Sequence, residues 1–168
     1  MTTTTLAPLL RPCWRGETAA VFSAVRAEQF RAAGIAPETA GPLLEMQFRS
    51  QQLQYGAAYP DAVDHVIDLD GQVVGRCFVA ITDDGVRVLD IAVLAPWRRR
   101  GIASRVLEDL GRTAPRGRVQ LSVWADDTRA RRFYEALGYS VRAQRPDGYL
   151  ELCSTTTHAL VPHAGGAR

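Results

Sequence analysis

Two polar residue types are missing from this chain of 168 residues, which contains neither lysine nor asparagine. All 20 basic residues are arginines, so no side chain carries a primary amine. Such a bias is typical of proteins encoded by GC-rich bacterial genomes, and we therefore expect a bacterial protein.

Cysteine is scarce, and long apolar runs are absent. Cys13, Cys77 and Cys153 are odd in number and far apart, which fits neither a disulfide framework nor the spacing of metal ligands. No apolar run reaches the roughly 18 residues of a membrane-spanning helix, and the first ten residues do not resemble a secretory signal. We therefore expect a cytoplasmic protein that has no metal and no membrane contact.

The remaining composition is that of an ordinary folded domain, with 46% hydrophobic and 23% charged residues. The length favours one domain, which we assign to residues 1–155. Residues 156–168 lack periodicity, and we expect them to form a flexible tail.

Positive charge is concentrated in one segment, because residues 98–145 hold 12 arginines and 5 acidic residues, a net charge of +7. Such a segment is expected to meet an anion, either nucleic acid or a phosphorylated cofactor. Because the arginines alternate with apolar residues and no row of aromatic side chains accompanies them, the pattern favours a cofactor.

Hydrophobic periodicity predicts a mixed α/β fold. Turn residues such as Asp70-Gly71 delimit the segments. We predict helices at 17–31, 43–59, 102–111 and 128–137. We predict strands at 6–11, 63–69, 72–82, 86–94, 119–124, 139–145 and 149–155.

The strand at 86–94 leads through three arginines to Gly101 and the next helix, and this junction has the features of a ligand-binding site. The first N–H groups of a helix have no internal partner, and the helix dipole adds positive potential there. Since Gly101 and Ala103 have almost no side chain, a bulky anion can approach the backbone. The junction therefore predicts a pyrophosphate site.

The spacing Arg98-x-x-Gly101-x-Ala103 resembles the acyl-CoA signature of the GNAT acetyltransferase superfamily. A second block, Asp127-x-x-Ala130-x-x-x-Tyr134 followed by Gly138-Tyr139, is similar to the family's fifth strand and following helix. The family's usual asparagine is replaced by Asp127, whose carboxylate accepts but does not donate hydrogen bonds. We expect Asp127 to cap the helix.

The resemblance implies a mostly antiparallel seven-stranded sheet with about four helices and splayed fourth and fifth strands. It implies an acyltransferase that uses acetyl-CoA as cosubstrate, with direct attack by a primary amine. The cofactor-binding residues it implies are Ile91, Ala92, Val93, Arg98, Arg99, Arg100, Gly101, Ile102, Ala103, Ser104, Asp127 and Tyr134.

The resemblance also implies two catalytic groups. Tyr134 matches the tyrosine that protonates the departing CoA thiolate in many family members. Asp90 is the one carboxylate on the fourth strand, where several members carry a general base, and alternation with Val88 and Ala92 predicts an apolar face that raises its pKa. His65 is an alternative base, and both residues also fit purely structural roles.

The second predicted helix carries a stripe of side chains suited to line an acceptor pocket, namely Phe48, Gln52, Tyr55 and Tyr59, with Gln51 beside them. We expect the acceptor to be a small-molecule amine or a peptide amine, and the protein to be a monomer or a homodimer. Two other functions stay open, a protein N-terminal or lysine acetyltransferase and a non-catalytic acyl-CoA-binding module.

Overall fold

The computed structural model describes residues 9–13 and 16–154, so the predicted tail at 156–168 lies outside the described residues. Its central sheet has seven strands in the order β1-β2-β3-β4-β5-β7-β6. The strands are β1 (Leu10–Pro12), β2 (Val63–Leu69), β3 (Gln72–Thr82), β4 (Gly85–Val93), β5 (Val119–Trp124), β6 (Tyr139–Gln144) and β7 (Tyr149–Ser154). Every neighbouring pair is antiparallel except β4 and β5, which are parallel. The predicted mixed, mostly antiparallel fold is confirmed.

In the described part of the chain, four α-helices cover the two faces of the sheet: α1 (Glu17–Ala32), α2 (Pro37–Ala58), α3 (Ile102–Thr113) and α4 (Thr128–Ala136). On one face, α3 buries Ile102, Val106 and Leu110 in the main core, because these residues recur every four positions. On the other face, Phe22 of α1 contacts Phe48 of α2, and Tyr55 of α2 contacts Phe78 of β3. The sheet therefore separates two chemically distinct sides.

Two predicted helix boundaries were wrong by more than one residue, and the predicted start of β1, at 6, lies outside the described residues. Helix α2 begins at Pro37 instead of after Pro42, and Pro42 lies within it. Proline lacks an N–H, so it leaves one helical carbonyl, that of Glu38, without its usual donor. Because Glu38 and Pro42 are exposed, water can satisfy that carbonyl. Helix α3 also continues past Gly111 to Thr113.

Strands β4 and β5 separate partway along the sheet. They pair at Val86, Arg87 and Val88, opposite Val119, Gln120 and Leu121. Beyond Val88, β4 continues to Val93 without a strand partner on that side among the described residues. The predicted splay is therefore present, and it exposes one edge of the last five residues of β4.

Among the residues described, none of the helices has the length and apolar character needed to span a membrane. Within the same residues, no group of three or more histidine, cysteine or acidic side chains is arranged to hold a metal ion.

Candidate active site

The loop between β4 and α3 turns sharply into the start of the helix. Arg99 and Gly101 both adopt left-handed conformations, with φ angles of 62° and 74°. The first helical hydrogen bond of α3 runs from the Arg105 N–H to the Gly101 carbonyl over 3.0 Å. The N–H groups of Ile102, Ala103 and Ser104 therefore have no partner within the helix.

These N–H groups border a cavity of about 530 Å³, which we call the helix-start cavity. It lies between the first turns of α3 and α4. Nine predicted cofactor-binding residues line it: Val93, Arg98, Arg99, Gly101, Ile102, Ala103, Ser104, Asp127 and Tyr134. Ile91, Ala92 and Arg100 are not among its lining residues. Ile91 packs against the core, and the Arg100 guanidinium lies 4.9 Å from the centre of the Trp97 ring.

The three arginines of the loop differ in what they can bind. Arg98 donates from Nε to the Val93 carbonyl over 2.9 Å and from Nη1 to Glu28 over 2.7 Å. Arg98 therefore fastens the loop to β4 and α1. Arg99, together with Arg129 of α4, lines the cavity and makes no ion pair within the described part of the chain. These two guanidinium groups supply the cavity's uncompensated positive charge.

Helix α4 contributes its capped start and one tyrosine. Asp127 caps the helix, because its Oδ1 accepts a hydrogen bond of 2.9 Å from the Ala130 N–H. Tyr134 lies two turns further along, with its ring centre 5.6 Å from that of Tyr139. Burial raises the pKa of the Tyr134 phenol, which is therefore fully protonated at neutral pH.

A β-bulge shapes the free half of β4. Phe78 of β3 faces Asp90, and the next residue, Val79, faces Val88, so Leu89 is an extra residue. The Leu89 carbonyl accepts a hydrogen bond of 2.9 Å from the Tyr55 hydroxyl. The bulge places Asp90 on the face opposite Val88, which corrects the simple alternation expected from the sequence.

The free half of β4 also borders a cavity of about 640 Å³ on the α1 and α2 side, which we call the sheet-face cavity. Three predicted residues line it: Asp90, Tyr55 and Tyr59. Phe48 and Gln52 are not among its lining residues. Phe48 packs against Phe22, and Gln52 donates to Asp64 over 2.9 Å. The neighbouring Gln51 does line the cavity.

Asp90 belongs to a buried ionic network. Its carboxylate lies 3.2 Å from Nη1 of Arg76, a side chain with no exposed surface. Arg76 also holds Asp64 at 2.7 Å and Gln51 at 3.0 Å. Burial raises the pKa of Asp90 and outweighs the opposing effects of the Arg76 and Arg26 charges. The carboxylate is thus a stronger base than an ordinary aspartate.

His65 lies on the opposite face of the sheet from Asp90. It is paired with Cys77, which belongs to the core on the α3 side, and its Nδ1 lies 3.1 Å from the Val63 carbonyl. Burial lowers the pKa of His65 and keeps its ring neutral. His65 lines neither the helix-start cavity nor the sheet-face cavity.

Several lining residues were not predicted from the sequence. The helix-start cavity also includes Trp97, Arg129, Ala130 and Phe133. Positions 130, 133 and 134 have the spacing of one helix face, so Ala130 and Phe133 could have been predicted from their distance to Tyr134. The sheet-face cavity also includes Arg26, Arg87, Ser122, Arg145 and Tyr149, which are far apart in sequence. No local pattern connects them.

Comparison with known proteins identifies the class. Residues 61–141 match the family described as acetyltransferase (GNAT) domain. This match confirms the predicted resemblance to the GNAT acetyltransferase superfamily, and it indicates an acyltransferase.

Solved structures show the same fold at low identity. PaiA N-acetyltransferase from Thermoplasma acidophilum in complex with coenzyme A is 14% identical, with a TM-score of 0.59 over 82% of this chain and 91% of that chain. An acetyltransferase from Thermus thermophilus is 15% identical, with a TM-score of 0.61 over 86% and 94% of the two chains. A structure described as histone acetyltransferase HPA2 and related acetyltransferase, from Corynebacterium glutamicum, is 17% identical, with a TM-score of 0.62 over 88% and 96%. No curated protein gives a significant match.

Proposed function

We propose that this protein transfers an acetyl group from acetyl-CoA to a primary amine by direct attack within a ternary complex. One observation carries the proposal. The free half of β4 borders the helix-start cavity through Val93 and the sheet-face cavity through Asp90. A donor and an acceptor held in these cavities would meet at this strand, which provides the proximity that direct transfer needs.

The helix-start cavity fits the pyrophosphate of CoA. Its donors are the free N–H groups at the start of α3, and Arg99 and Arg129 add positive charge. A Cβ atom built on Gly101 would meet no atom within 4 Å, so the glycine leaves open space in front of the backbone. The free edge of Ile91, Ala92 and Val93 offers backbone groups to the amides of the pantetheine arm.

The thioester supplies the activated acetyl group, and the protein must move two protons. The amine nitrogen forms the new bond to the carbonyl carbon, and the carbon–sulfur bond breaks. Asp90 takes the proton that the amine loses, directly or through water. Tyr134 donates a proton to the sulfur, and the buried setting that raises its pKa also disfavours a bare thiolate.

The acceptor occupies the sheet-face cavity. Tyr55, Tyr59 and Tyr149 offer aromatic walls to its body, and Asp90 lies where the amine must lose its proton. The cavity volume of about 640 Å³ is ample for a small amine.

The test is a thiol-release assay with the purified full chain, acetyl-CoA and a panel of amines that includes antibiotics and peptides. We expect CoA to appear only when a suitable amine is present, with the acetylated amine in equal amount by mass spectrometry. Tight acetyl-CoA binding without release for any amine would instead identify a non-catalytic acyl-CoA-binding module.

A further inference from the structure

The sheet-face cavity is lined by more cations than its catalytic role requires. Three arginines border it, Arg26, Arg87 and Arg145, whereas Asp90 is the one carboxylate among its lining residues. A cavity built for a cationic amine alone would be expected to show the opposite balance. Only an arginine without an ion pair inside the protein has its full charge available to a ligand.

Arg87 and Arg145 are already neutralised by the protein. Arg87 donates to Glu151 over 2.7 Å and to Ser122 over 2.8 Å. Arg145 pairs with Asp147 over 2.5 Å and lies 3.5 Å from Glu151. These contacts join β4, β5 and β7 across the splay, so these two arginines serve the architecture of the cavity.

Arg26 has no such partner. It makes no ion pair with any carboxylate in residues 9–13 and 16–154, and its guanidinium lies 4.9 Å from the ring centre of Phe22, one helical turn earlier. Phe22 is 3% exposed, so packing fixes its ring, whose face offers this cation a favourable contact. Arg26 acts on Asp90 through space and opposes the rise in its pKa, but the two make no ion pair, and Arg76 is the cation that lies 3.2 Å from that carboxylate.

We infer that the acceptor is an amino carboxylate, whose carboxylate pairs with Arg26 while its amine faces Asp90. This inference rests on the proposed function and specifies its substrate class. The planar guanidinium matches a carboxylate through two parallel hydrogen bonds. A polyamine would place further positive charge beside Arg26, which like-charge repulsion disfavours. The three tyrosines favour an acceptor with an apolar or aromatic body in addition to the two charged groups.

The test compares acceptors that differ only in the carboxylate. We choose 4-(aminomethyl)benzoate against 4-(aminomethyl)benzamide, and phenylalanine against phenylalaninamide. For the better pair we expect kcat/KM of the acid to exceed that of the amide by about tenfold or more. Arg26→Gln should reduce this ratio to about one. Arg26→Lys should retain part of it, because lysine keeps the positive charge but lacks the two parallel N–H donors of the guanidinium group. The matched control is Arg31→Gln, an exposed arginine on the same helix, which should preserve the ratio.

Calorimetric binding of the same compounds, in the presence of CoA, separates this inference from the proposed function. Acid binding that depends on Arg26, without any CoA release, would support the amino-carboxylate site and overturn acetyl transfer. Equal turnover and equal binding of acid and amide in the wild type would overturn the inference and leave acetyl transfer intact. An equal loss for both compounds in Arg26→Gln would overturn it as well.

Discussion

The two cavities flank one strand but are lined by different kinds of chemical group. The helix-start cavity draws on two short segments, 93–104 and 127–134, and its principal donors are backbone N–H groups. The sheet-face cavity draws on residues from Arg26 to Tyr149, and its polar groups are mostly side chains. Its charges are set by ion pairs between distant strands, such as Arg87 with Glu151.

This difference corresponds to two tasks, binding a cosubstrate that the whole superfamily shares and recognising a particular acceptor. Backbone donors present the same chemistry whatever side chains surround them, which suits a cosubstrate shared by a whole superfamily. Side-chain charges can be rearranged by single substitutions, which suits recognition of a particular acceptor. Side-chain substitutions should therefore disturb the helix-start cavity less than the sheet-face cavity, except where they act on the reaction or obstruct the backbone.

The largest effect is expected for Tyr134→Phe, which removes a hydroxyl at the edge of the helix-start cavity. Loss of a proton donor should reduce kcat by roughly 10²–10⁴. KM for acetyl-CoA should change far less, because the hydrogen bond matters as thiolate charge develops. Direct measurement of CoA release checks both values.

The control for the phenol is Tyr139→Phe, which alters the neighbouring ring outside the helix-start cavity. It should leave kcat almost unchanged. A fall in Tm that accounts for the lost activity of Tyr134→Phe would assign Tyr134 to the core alone. Full activity of that variant would mean that water or another group protonates the sulfur.

Asp90→Asn tests the sheet-face cavity and should lower kcat/KM by about 10². The base acts in its ionised form, so wild-type activity should rise with pH as Asp90 loses its proton. Burial raises the pKa of Asp90, and this limb should therefore lie above the range of an ordinary aspartate. The asparagine variant should lack the limb in a pH profile of kcat/KM.

His65→Gln is the matched comparison for Asp90→Asn, and it should preserve the limb because His65 lies on the opposite face. The reverse result would assign the base to His65. An unchanged limb in both variants would indicate that the amine binds already neutral.

Gly101→Val should obstruct the backbone at the start of α3. The branched side chain would enter the space assigned to the pyrophosphate, and acetyl-CoA affinity should fall by tenfold or more, about 1.4 kcal/mol. Isothermal titration measures this directly.

The control for Gly101→Val is Gly16→Val. Gly16 precedes α1 with a φ of 80°, close to the 74° of Gly101, and a Cβ there also meets open space. Both variants should lose similar stability from left-handed strain, whereas only Gly101→Val should lose affinity. Equal affinities in the two folded variants would contradict the pyrophosphate site.

The smallest effect is expected for Arg99→Gln. One exposed cation beside a phosphate is screened by solvent and salt, so acetyl-CoA affinity should fall by roughly threefold. The loss should shrink as salt concentration rises. Arg105→Gln, an exposed arginine on α3 outside the cavity, should change nothing. A loss for Arg99→Gln as large as that for Gly101→Val would show that side chains dominate this cavity.

The elements that could be predicted from the sequence are those with local signals. The strands from 63 to 94, the start of α3 and the cap formed by Asp127 could be predicted, since period, turn residues and capping act within a few residues. The start of α2 could not, because Pro42 resembles a helix start wherever it stands. Pro37, the first residue of α2, gives the same local signal, so local pattern alone does not choose between the two prolines.

The sequence by itself determined the hairpins that join β2, β3 and β4 and the turn at Gly101 that starts α3, because turn residues act within a few residues of the chain. Only the tertiary structure decided the facing of Asp90, since a bulge at Leu89 reverses the simple alternation of β4. It also brought Arg26, Arg87 and Arg145 to one cavity and paired two of them. Long-range contacts determine which charges are neutralised, and these contacts leave no periodic pattern in the sequence.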